Sequence, residues 1–198
     1  YIGTYPMRRA NHLSTDAPDL WNYEEGQKVR VVCYTNSPQA RLLLNGKVVG
    51  ELKPNDPQVG IIHWDINYEA GTLLCEGCDA DGNKQSSYEI KTSGRPYQIK
   101  ATLEDKGEDI AHVLIEVLDE NGTLVKLADN EITCRIFGDA RLLGLENSDN
   151  SDMSDHRDNR QRVFRGKLLA YVKLSKVGGL ARMRFSSPLL KGCELVLE

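Results

Sequence analysis

Five cysteines carry the most reactive side chains of this sequence: Cys33, Cys75, Cys78, Cys134 and Cys193. The Cys75-x-x-Cys78 spacing is that of half a zinc site, but a structural zinc ion needs a second pair of ligands, and no partner motif occurs. Residues i and i+3 of a strand point to opposite faces, so these two thiols diverge. The sequence therefore predicts neither a metal site nor a cofactor.

Cys33 and Cys75 are a better matched pair, because both lie on inward faces of predicted strands that would oppose each other across one sandwich. This is the position of the inter-sheet disulfide of immunoglobulin domains. Two buried free thiols that pack as small apolar groups would fit the same pattern. The sequence leaves both states open, and the odd number of cysteines leaves at least one thiol free or paired outside the chain.

The dipeptide Asn130-Glu131 could present the acid of a retaining glycosidase, which needs a second carboxyl group about 5 Å away. Such enzymes place the dipeptide on a strand of a (β/α)₈ barrel, a fold of roughly 250 residues with alternating helices. This chain has 198 residues and no sustained helical period of apolar residues. The sequence therefore predicts a turn that leads into a strand, and no catalytic residue.

A long polar loop at residues 146–162 places its acids first and its arginines last. The carboxylates are ligands that Ca²⁺ accepts, but their spacing is not that of an EF-hand, and the central glycine is absent. The favoured interpretation is a solvated, mobile surface loop whose acids pair with its own arginines. The residues concerned are Glu146, Asp149, Asp152, Asp155 and Asp158 with Arg157, Arg160 and Arg162.

Four aromatic residues are candidates for contact with a sugar or with another domain: Trp21, Tyr23, Trp64 and Tyr68. Trp64 and Tyr68 alternate with isoleucines, which predicts that both belong to a core. Trp21 and Tyr23 precede the first clear strand and have no periodic reason to be buried. We therefore expect Trp21 to be partly exposed and the pair to pack against a neighbouring domain or, as the alternative, to stack on carbohydrate.

These residues lie in a series of short strands separated by turns. Asn45-Gly46 is the strongest hairpin signal, because Asn and Gly supply the two positive-φ residues of a type I′ turn. Ala40, Leu42 and Leu44 alternate toward one face before it. The pattern predicts an all-β fold with two tandem immunoglobulin-like antiparallel β-sandwich domains.

Domain boundaries follow from a change of pattern at residues 93–96, Ser-Gly-Arg-Pro. We expect a connector from an upstream domain at residues 1–20, one sandwich at 21–94 and a second at 97–198. The chain opens with Tyr1, and residues 1–19 lack the apolar core of a signal peptide, so an excised piece of a longer polypeptide is expected.

Composition excludes two classes of partner. The net charge is −4, with 27% charged and 40% hydrophobic residues, as in ordinary globular proteins. Because no basic surface stands out, we expect no nucleic-acid partner. No apolar run approaches the ~20 residues of a membrane span.

Several segments resemble one known family, the bacterial glycoside hydrolase family 2 enzymes of the β-galactosidase type. In the first half these are Trp-Asn-Tyr-Glu-Glu-Gly (21–26), Val-Val-Cys-Tyr-Thr-Asn (31–36), Ala-Arg-Leu-Leu-Leu-Asn-Gly-Lys (40–47) and Trp-Asp-Ile-Asn-Tyr-Glu-Ala-Gly-Thr-Leu (64–73). In the second half they are Ala-Asp-Asn (128–130), Arg-Leu-Leu-Gly-Leu-Glu-Asn (141–147) and Phe-Arg-Gly-Lys-Leu-Leu-Ala (164–170). The first set is similar to the post-catalytic domain, and the second to the terminal immunoglobulin-like domain.

The resemblance implies a non-catalytic portion of a sugar-cleaving enzyme whose two catalytic glutamates lie upstream on a (β/α)₈ barrel. The expected partner is that upstream catalytic domain, with carbohydrate as a further candidate, and the parent protein is expected to be exported to the periplasm or cell surface. Two alternatives stay open: tandem immunoglobulin-like modules of a bacterial surface adhesin, and a stand-alone carbohydrate-binding module that uses Trp21 and Tyr23.

Overall fold

The computed structural model describes residues 1–7, 17–175 and 179–197, and every regular element in them is a β-strand. The chain folds as two compact units, Tyr1–Thr92 (unit 1) and Ser93–Glu198 (unit 2). The described residues contain no helix that is long and apolar enough to cross a membrane. The predicted all-β fold of antiparallel sandwiches is confirmed.

The described residues of unit 1 form eight strands: β1 (Ile2–Pro6), β2 (Lys28–Tyr34), β3 (Gln39–Leu44), β4 (Lys47–Val48), β5 (Lys53–Pro54), β6 (Ile61–Asn67), β7 (Thr72–Cys78) and β8 (Lys84–Lys91). They form one antiparallel sheet of order β1-β2-β6 and another of order β4-β3-β7-β8, with β5 also paired to β3. Alternate residues of β2, β3, β6 and β7 are buried between the sheets, as the period of a strand requires.

The Asn45-Gly46 turn joins β3 to β4 as the sequence predicts. Asn45 has φ 51° and Gly46 has φ 79°, and Leu44 faces Lys47 in the ladder. Two positive φ angles are the backbone signature of a type I′ hairpin turn. The prediction of a two-residue hairpin is confirmed.

Residues 1–20 differ from the connector that the sequence predicts. Ile2–Pro6 forms β1, which pairs along β2, and Ile2 is fully buried. The Thr4 amide donates to the Pro18 carbonyl at 2.7 Å, so chain beyond the strand also lies against it. The sequence hides this strand because Ile2 and Thr4 are its inward residues, and one apolar side chain gives no alternation to detect. The predicted residues 8–16 of the connector lie outside the described residues.

In the part of unit 2 that the structure describes there are also eight strands: β9 (Gln98–Lys106), β10 (Ile110–Leu118), β11 (Glu131–Gly138), β12 (Ala140–Glu146), β13 (Arg160–Arg162), β14 (Lys167–Leu174), β15 (Ala181–Ser186) and β16 (Cys193–Leu197). The two sheets have orders β12-β14-β10-β9 and β13-β11-β15-β16. Their inward residues form an aliphatic core around Phe185 and Met183, both fully buried.

Candidate functional site

Trp21 lies inside the core of unit 1, with 1% of its surface exposed. Its ring packs edge-on against Tyr68, with 5.0 Å between ring centroids. Its indole N–H donates to the Glu69 carbonyl at 3.2 Å. A ring that is buried and hydrogen-bonded within its own unit has no free face for a sugar or another domain. The prediction that Trp21 is partly exposed and makes such a contact is therefore wrong.

Tyr23 extends the same aromatic cluster toward the surface. Its half-buried ring meets Trp21 and Tyr68 edge-on, at 6.1 and 5.9 Å between centroids. Its hydroxyl lies 2.6 Å from the Thr4 hydroxyl. Burial raises the pKa of Tyr23, although the hydrogen bond with Thr4 opposes this. Contact of Tyr23 with carbohydrate or with another domain stays a prediction.

The two segments with the strongest family resemblance meet at Asn45. The Asn45 side-chain oxygen accepts the Thr72 amide at 2.9 Å, and its amide group donates to the Ala70 carbonyl at 3.0 Å. Gly71 has φ 138°, and the Asn45 amide occupies the place that a Cβ on Gly71 would need. The Asn-Gly hairpin and the neighbouring Glu-Ala-Gly turn therefore form one hydrogen-bonded structure, and Asn45 is unavailable to a ligand.

Trp64 and Tyr68 are core residues, as the sequence predicts, with 3% and 5% of their surface exposed. The Trp64 indole N–H donates to the Glu51 carbonyl at 3.1 Å, and its ring fills the space that a Cβ on Gly50 would occupy. The Tyr68 hydroxyl lies 3.0 Å from that of Thr92. These two aromatic residues of the family-like segments therefore hydrogen-bond to loops of the same unit.

A groove in unit 2, here called the acidic groove, lies where residues 146–162 fold back to form β13. Its volume is about 550 Å³. Six carboxylates and two arginines line it, and Phe164 adds an aromatic edge. The lining residues are Asp129, Glu131, Asn147, Asp149, Asp152, Ser154, Asp155, Asp158, Arg160, Gln161, Arg162, Val163 and Phe164. Such a surface presents mostly hydrogen-bond acceptors.

Four of the six carboxylates of the acidic groove accept hydrogen bonds from backbone amides of the segment that forms it. Asp149 accepts the Ser151 amide at 2.9 Å, and Asp152 accepts the Ser154 amide at 2.9 Å. The hydrogen bond from the Ser154 backbone lowers the pKa of Asp152. The predicted pairing of acids with arginines occurs once among the described pairs, between Arg160 and Asp158 at 3.7 Å.

The same segment contains more regular structure than the sequence predicts, because Arg160–Arg162 pairs with β11. In the described residues, no three His, Cys, Asp or Glu side chains come together to hold a metal ion. The segment is therefore a set of local turns closed by a short strand.

Glu131 begins β11 and faces Arg162 across the ladder. The carbonyl of the preceding residue, Asn130, accepts the Val163 amide at 3.0 Å. This arrangement confirms the predicted turn that leads into a strand. Glu131 is exposed, and its backbone position is fixed by sheet pairing.

The five cysteines are all free thiols, and four of them are buried. Cys33 and Cys75 belong to the same core and are hydrogen-bonded to each other across it. Cys78 is fully buried but lies outside that core cluster. The structure therefore shows the free-thiol state of the Cys33–Cys75 pair and confirms that Cys75 and Cys78 diverge.

Family models match both units. Residues 98–196, half of the chain, match the model described as glycoside hydrolase family 2 C-terminal domain 5. Residues 26–86 match a second model, described as a domain of unknown function, DUF4982. The first match covers nearly all of unit 2.

Two curated relatives are similar to the chain over much of its length. The β-galactosidase BoGH2A of Bacteroides ovatus is 30% identical over 184 residues, which cover 90% of this chain and 21% of that protein. A β-glucuronidase of Formosa agariphila is 30% identical over 138 residues, which cover 65% of this chain and 14% of that protein. The chain thus spans only about a fifth or less of the relatives it matches.

A solved structure shows the same fold. The glycosyl hydrolase family 2 member of Bacteroides cellulosilyticus superposes with a TM-score of 0.88 at 22% identity, and the match covers all of this chain and 28% of that one. Together with the family model for unit 2, these relatives make the assignment plain. The chain belongs to glycoside hydrolase family 2 and corresponds to the C-terminal region of its members.

Proposed function

We propose that this chain is the non-catalytic accessory portion of a larger enzyme that hydrolyses O-glycosidic bonds through a catalytic domain elsewhere in the same polypeptide. The match of residues 98–196 to a C-terminal domain of the family carries the proposal. The first curated relative is a β-galactosidase of which the chain spans 21%. A β-galactoside is accordingly the proposed substrate class of the whole enzyme, and the upstream catalytic domain is the proposed partner.

The side chains that could have bound a ligand instead make contacts within their own unit, which supports a structural role. The residues that could have bound a sugar, Trp21 and Trp64, are buried and donate their indole N–H groups to backbone carbonyls. A retaining glycosidase also needs two carboxyl groups about 5 Å apart on a scaffold that orients them toward one bond. Glu131 instead stands at the exposed end of a sandwich strand.

The adhesin alternative is not favoured, because unit 2 matches a domain of glycoside hydrolases. The carbohydrate-binding alternative loses Trp21, which is inside the core. Export to the periplasm or cell surface stays a proposal, and the sequence at the start of the full-length gene can test it. A secretory signal peptide there supports export, and its absence opposes it.

The accessory role is tested by separating the chain from the rest of the enzyme. The purified 198-residue chain should not hydrolyse aryl β-galactosides or aryl β-glucuronides, and Glu131→Gln should leave this result unchanged. The full-length enzyme should hydrolyse one of them and should lose thermal stability when this region is deleted. Turnover by the purified chain that Glu131→Gln abolishes would overturn the proposal, as would a full-length protein without glycosidase activity.

A further inference from the structure

The thiols of Cys33 and Cys75 meet at the centre of the unit 1 core. Cys33 lies on β2, the middle strand of its sheet, between Ile2 and Ile62. Cys75 lies on β7, an inner strand of the opposite sheet. The two thiols are hydrogen-bonded to each other. Only 4% of the surface of Cys33 and 3% of that of Cys75 is exposed. Two buried thiols that reach each other from facing sheets are placed for a cross-link.

No other described pair has this arrangement. In unit 2, Cys134 and Cys193 both face Phe185, one from each neighbouring strand of a single sheet. Two strand spacings separate them by about 9–10 Å, which exceeds the Cα separation of roughly 4.4–6.8 Å that a disulfide allows. Cys78 lies outside the core cluster that contains Cys75.

We propose that Cys33 and Cys75 are a modification site, at which a disulfide donor closes an inter-sheet disulfide through the core of unit 1. The donor is a disulfide of the thiol–disulfide oxidoreductase class or a small disulfide such as oxidised glutathione. The reduced pair seen here and the cross-linked pair are the two states of this site. The inference does not depend on the proposed glycosidase function.

The chemistry is two successive thiol–disulfide exchanges. In the folded core the hydrogen bond with Cys33 and then burial raise the pKa of Cys75. Both effects are lost when unit 1 opens, so either thiol can make the first attack. When Cys33 is first, its thiolate attacks one donor sulfur, forms a mixed disulfide and releases the first donor thiol. Cys75 then loses its proton and attacks the Cys33 sulfur, which releases the second donor thiol. Two electrons and two protons pass from the cysteines to the donor disulfide.

Burial controls when this reaction occurs. Because a donor cannot reach either sulfur in the folded core, the first exchange requires unit 1 to be open, during folding or on transient unfolding. A disulfide that closes about 40 residues of chain restricts the unfolded state and should stabilise unit 1. The oxidised chain should therefore form readily on refolding and slowly from the native state.

The test is to refold the 198-residue chain with a mixture of oxidised and reduced glutathione and, in parallel, with dithiothreitol. The oxidised product should lose the mass of two hydrogen atoms and show two fewer titratable thiols than the five of the reduced chain. Its proteolytic digest should contain a peptide that links Cys33 to Cys75. Its first unfolding transition should rise by about 10 °C.

Matched variants separate this pair from the other thiols. Cys75→Ser should abolish the linked peptide and the thermal shift, whereas Cys134→Ser should preserve both. If Cys75→Ser does not fold, the digest of the unaltered chain still decides. Five free thiols after oxidative refolding, or a linked peptide that joins any other pair, would overturn the proposal.

Discussion

The described residues of each unit form an antiparallel sandwich of two sheets, but the two cores are built differently. Unit 1 buries large aromatic residues whose polar atoms reach the backbone, as Trp21 does at Glu69 and Trp64 at Glu51. Unit 2 buries mainly aliphatic side chains from both of its sheets, together with Met183 and the single ring of Phe185. In unit 1 single side chains hold particular turns, whereas in unit 2 the packing is shared among many similar contacts.

This difference indicates what the family-like segments do. In unit 1 they encode specific contacts, such as the approach of Asn45 to Gly71, so that a single substitution there should be costly. The aliphatic core of unit 2 should tolerate exchanges of similar volume better, because its contacts are less directional. Equal losses of stability after matched substitutions in the two units would contradict this difference.

The largest effect should follow Trp21→Ala, which empties the aromatic cluster of unit 1. Loss of a buried Trp costs about 3–5 kcal/mol, enough to unfold unit 1 or to separate its transition from that of unit 2. The measurement is denaturant unfolding followed by circular dichroism. Phe137→Ala is the control, because Phe137 is 55% exposed on β11 of unit 2 and its loss should change stability little. If Trp21→Ala is as stable as the unaltered chain, Trp21 does not contribute to the core of unit 1.

The next effect concerns the glycine that touches Asn45. Gly71→Ala should destabilise unit 1 by about 2–3 kcal/mol, because the new methyl group meets both an unfavourable φ and the Asn45 amide. Gly46→Ala is the matched control, since Gly46 also has a positive φ but no atom within 4 Å of its Cβ position. It should cost about 1 kcal/mol. Equal losses for the two variants would mean that the Asn45 contact adds nothing.

A smaller difference should separate two related turns, one in each unit. Asp79 accepts the Asn83 amide at 2.8 Å, and Asp119 accepts the Thr123 amide at 2.8 Å. Asp119 is also buried and accepts the Gly94 amide at 2.7 Å. Asp119→Ala should therefore destabilise unit 2 by about 1–3 kcal/mol, and Asp79→Ala should destabilise unit 1 less.

The measurement is thermal unfolding of both variants. A larger loss of stability for Asp79→Ala than for Asp119→Ala would show that burial of Asp119 does not strengthen its turn. At these two turns unit 2, and not unit 1, is expected to hold the more sensitive residue. It would also show that directional contacts occur at the edge of unit 2 even though its core lacks them.

Acid should weaken both units modestly, through different groups. The hydrogen bond from Arg30 lowers the pKa of Asp65 in unit 1. In unit 2, burial of Asp119 is outweighed by the amides of Gly94 and Thr123, and its pKa is also lowered. A lowered folded-state pKa gives stability that is complete above the unfolded value of about 3.9 and is lost as pH falls through the folded-state pKa.

Unfolding measured from about pH 7 to pH 3 should therefore show both transitions falling below about pH 4. Asp65→Asn should flatten the acid limb of unit 1 and leave that of unit 2 unchanged. A transition of unit 1 that falls with acid as steeply in Asp65→Asn as in the unaltered chain would show that Asp65 does not contribute.

Local chemistry could be predicted from the sequence. Asn45-Gly46 needs nothing beyond its own φ preferences to specify a turn, and Trp64 and Tyr68 reveal their burial through alternation along β6 and the chain that follows it. The overall fold followed from the same strand pattern. These features depend on neighbours in sequence, which is why the sequence was sufficient.

Features that depend on distant partners could not be predicted. Trp21 has no alternating neighbours, and its burial is decided by Tyr68 and Glu69, far along the chain. β1 carries one large apolar side chain, Ile2, and becomes a strand only because β2 offers it an edge. The short strand β13 within residues 146–162 forms for the same reason, by pairing with β11.

The burial of Trp21 and Trp64 in the core of unit 1 is tested most directly by hydrogen exchange of their two indole N–H groups, measured by NMR. Trp21 and Trp64 are the only tryptophans in the chain, so their signals are easily assigned with Trp21→Phe. Both should be protected from exchange and should not shift when an aryl β-galactoside is added. A Trp21 signal that exchanges at the rate of an exposed indole, or that shifts with the galactoside, would contradict the account.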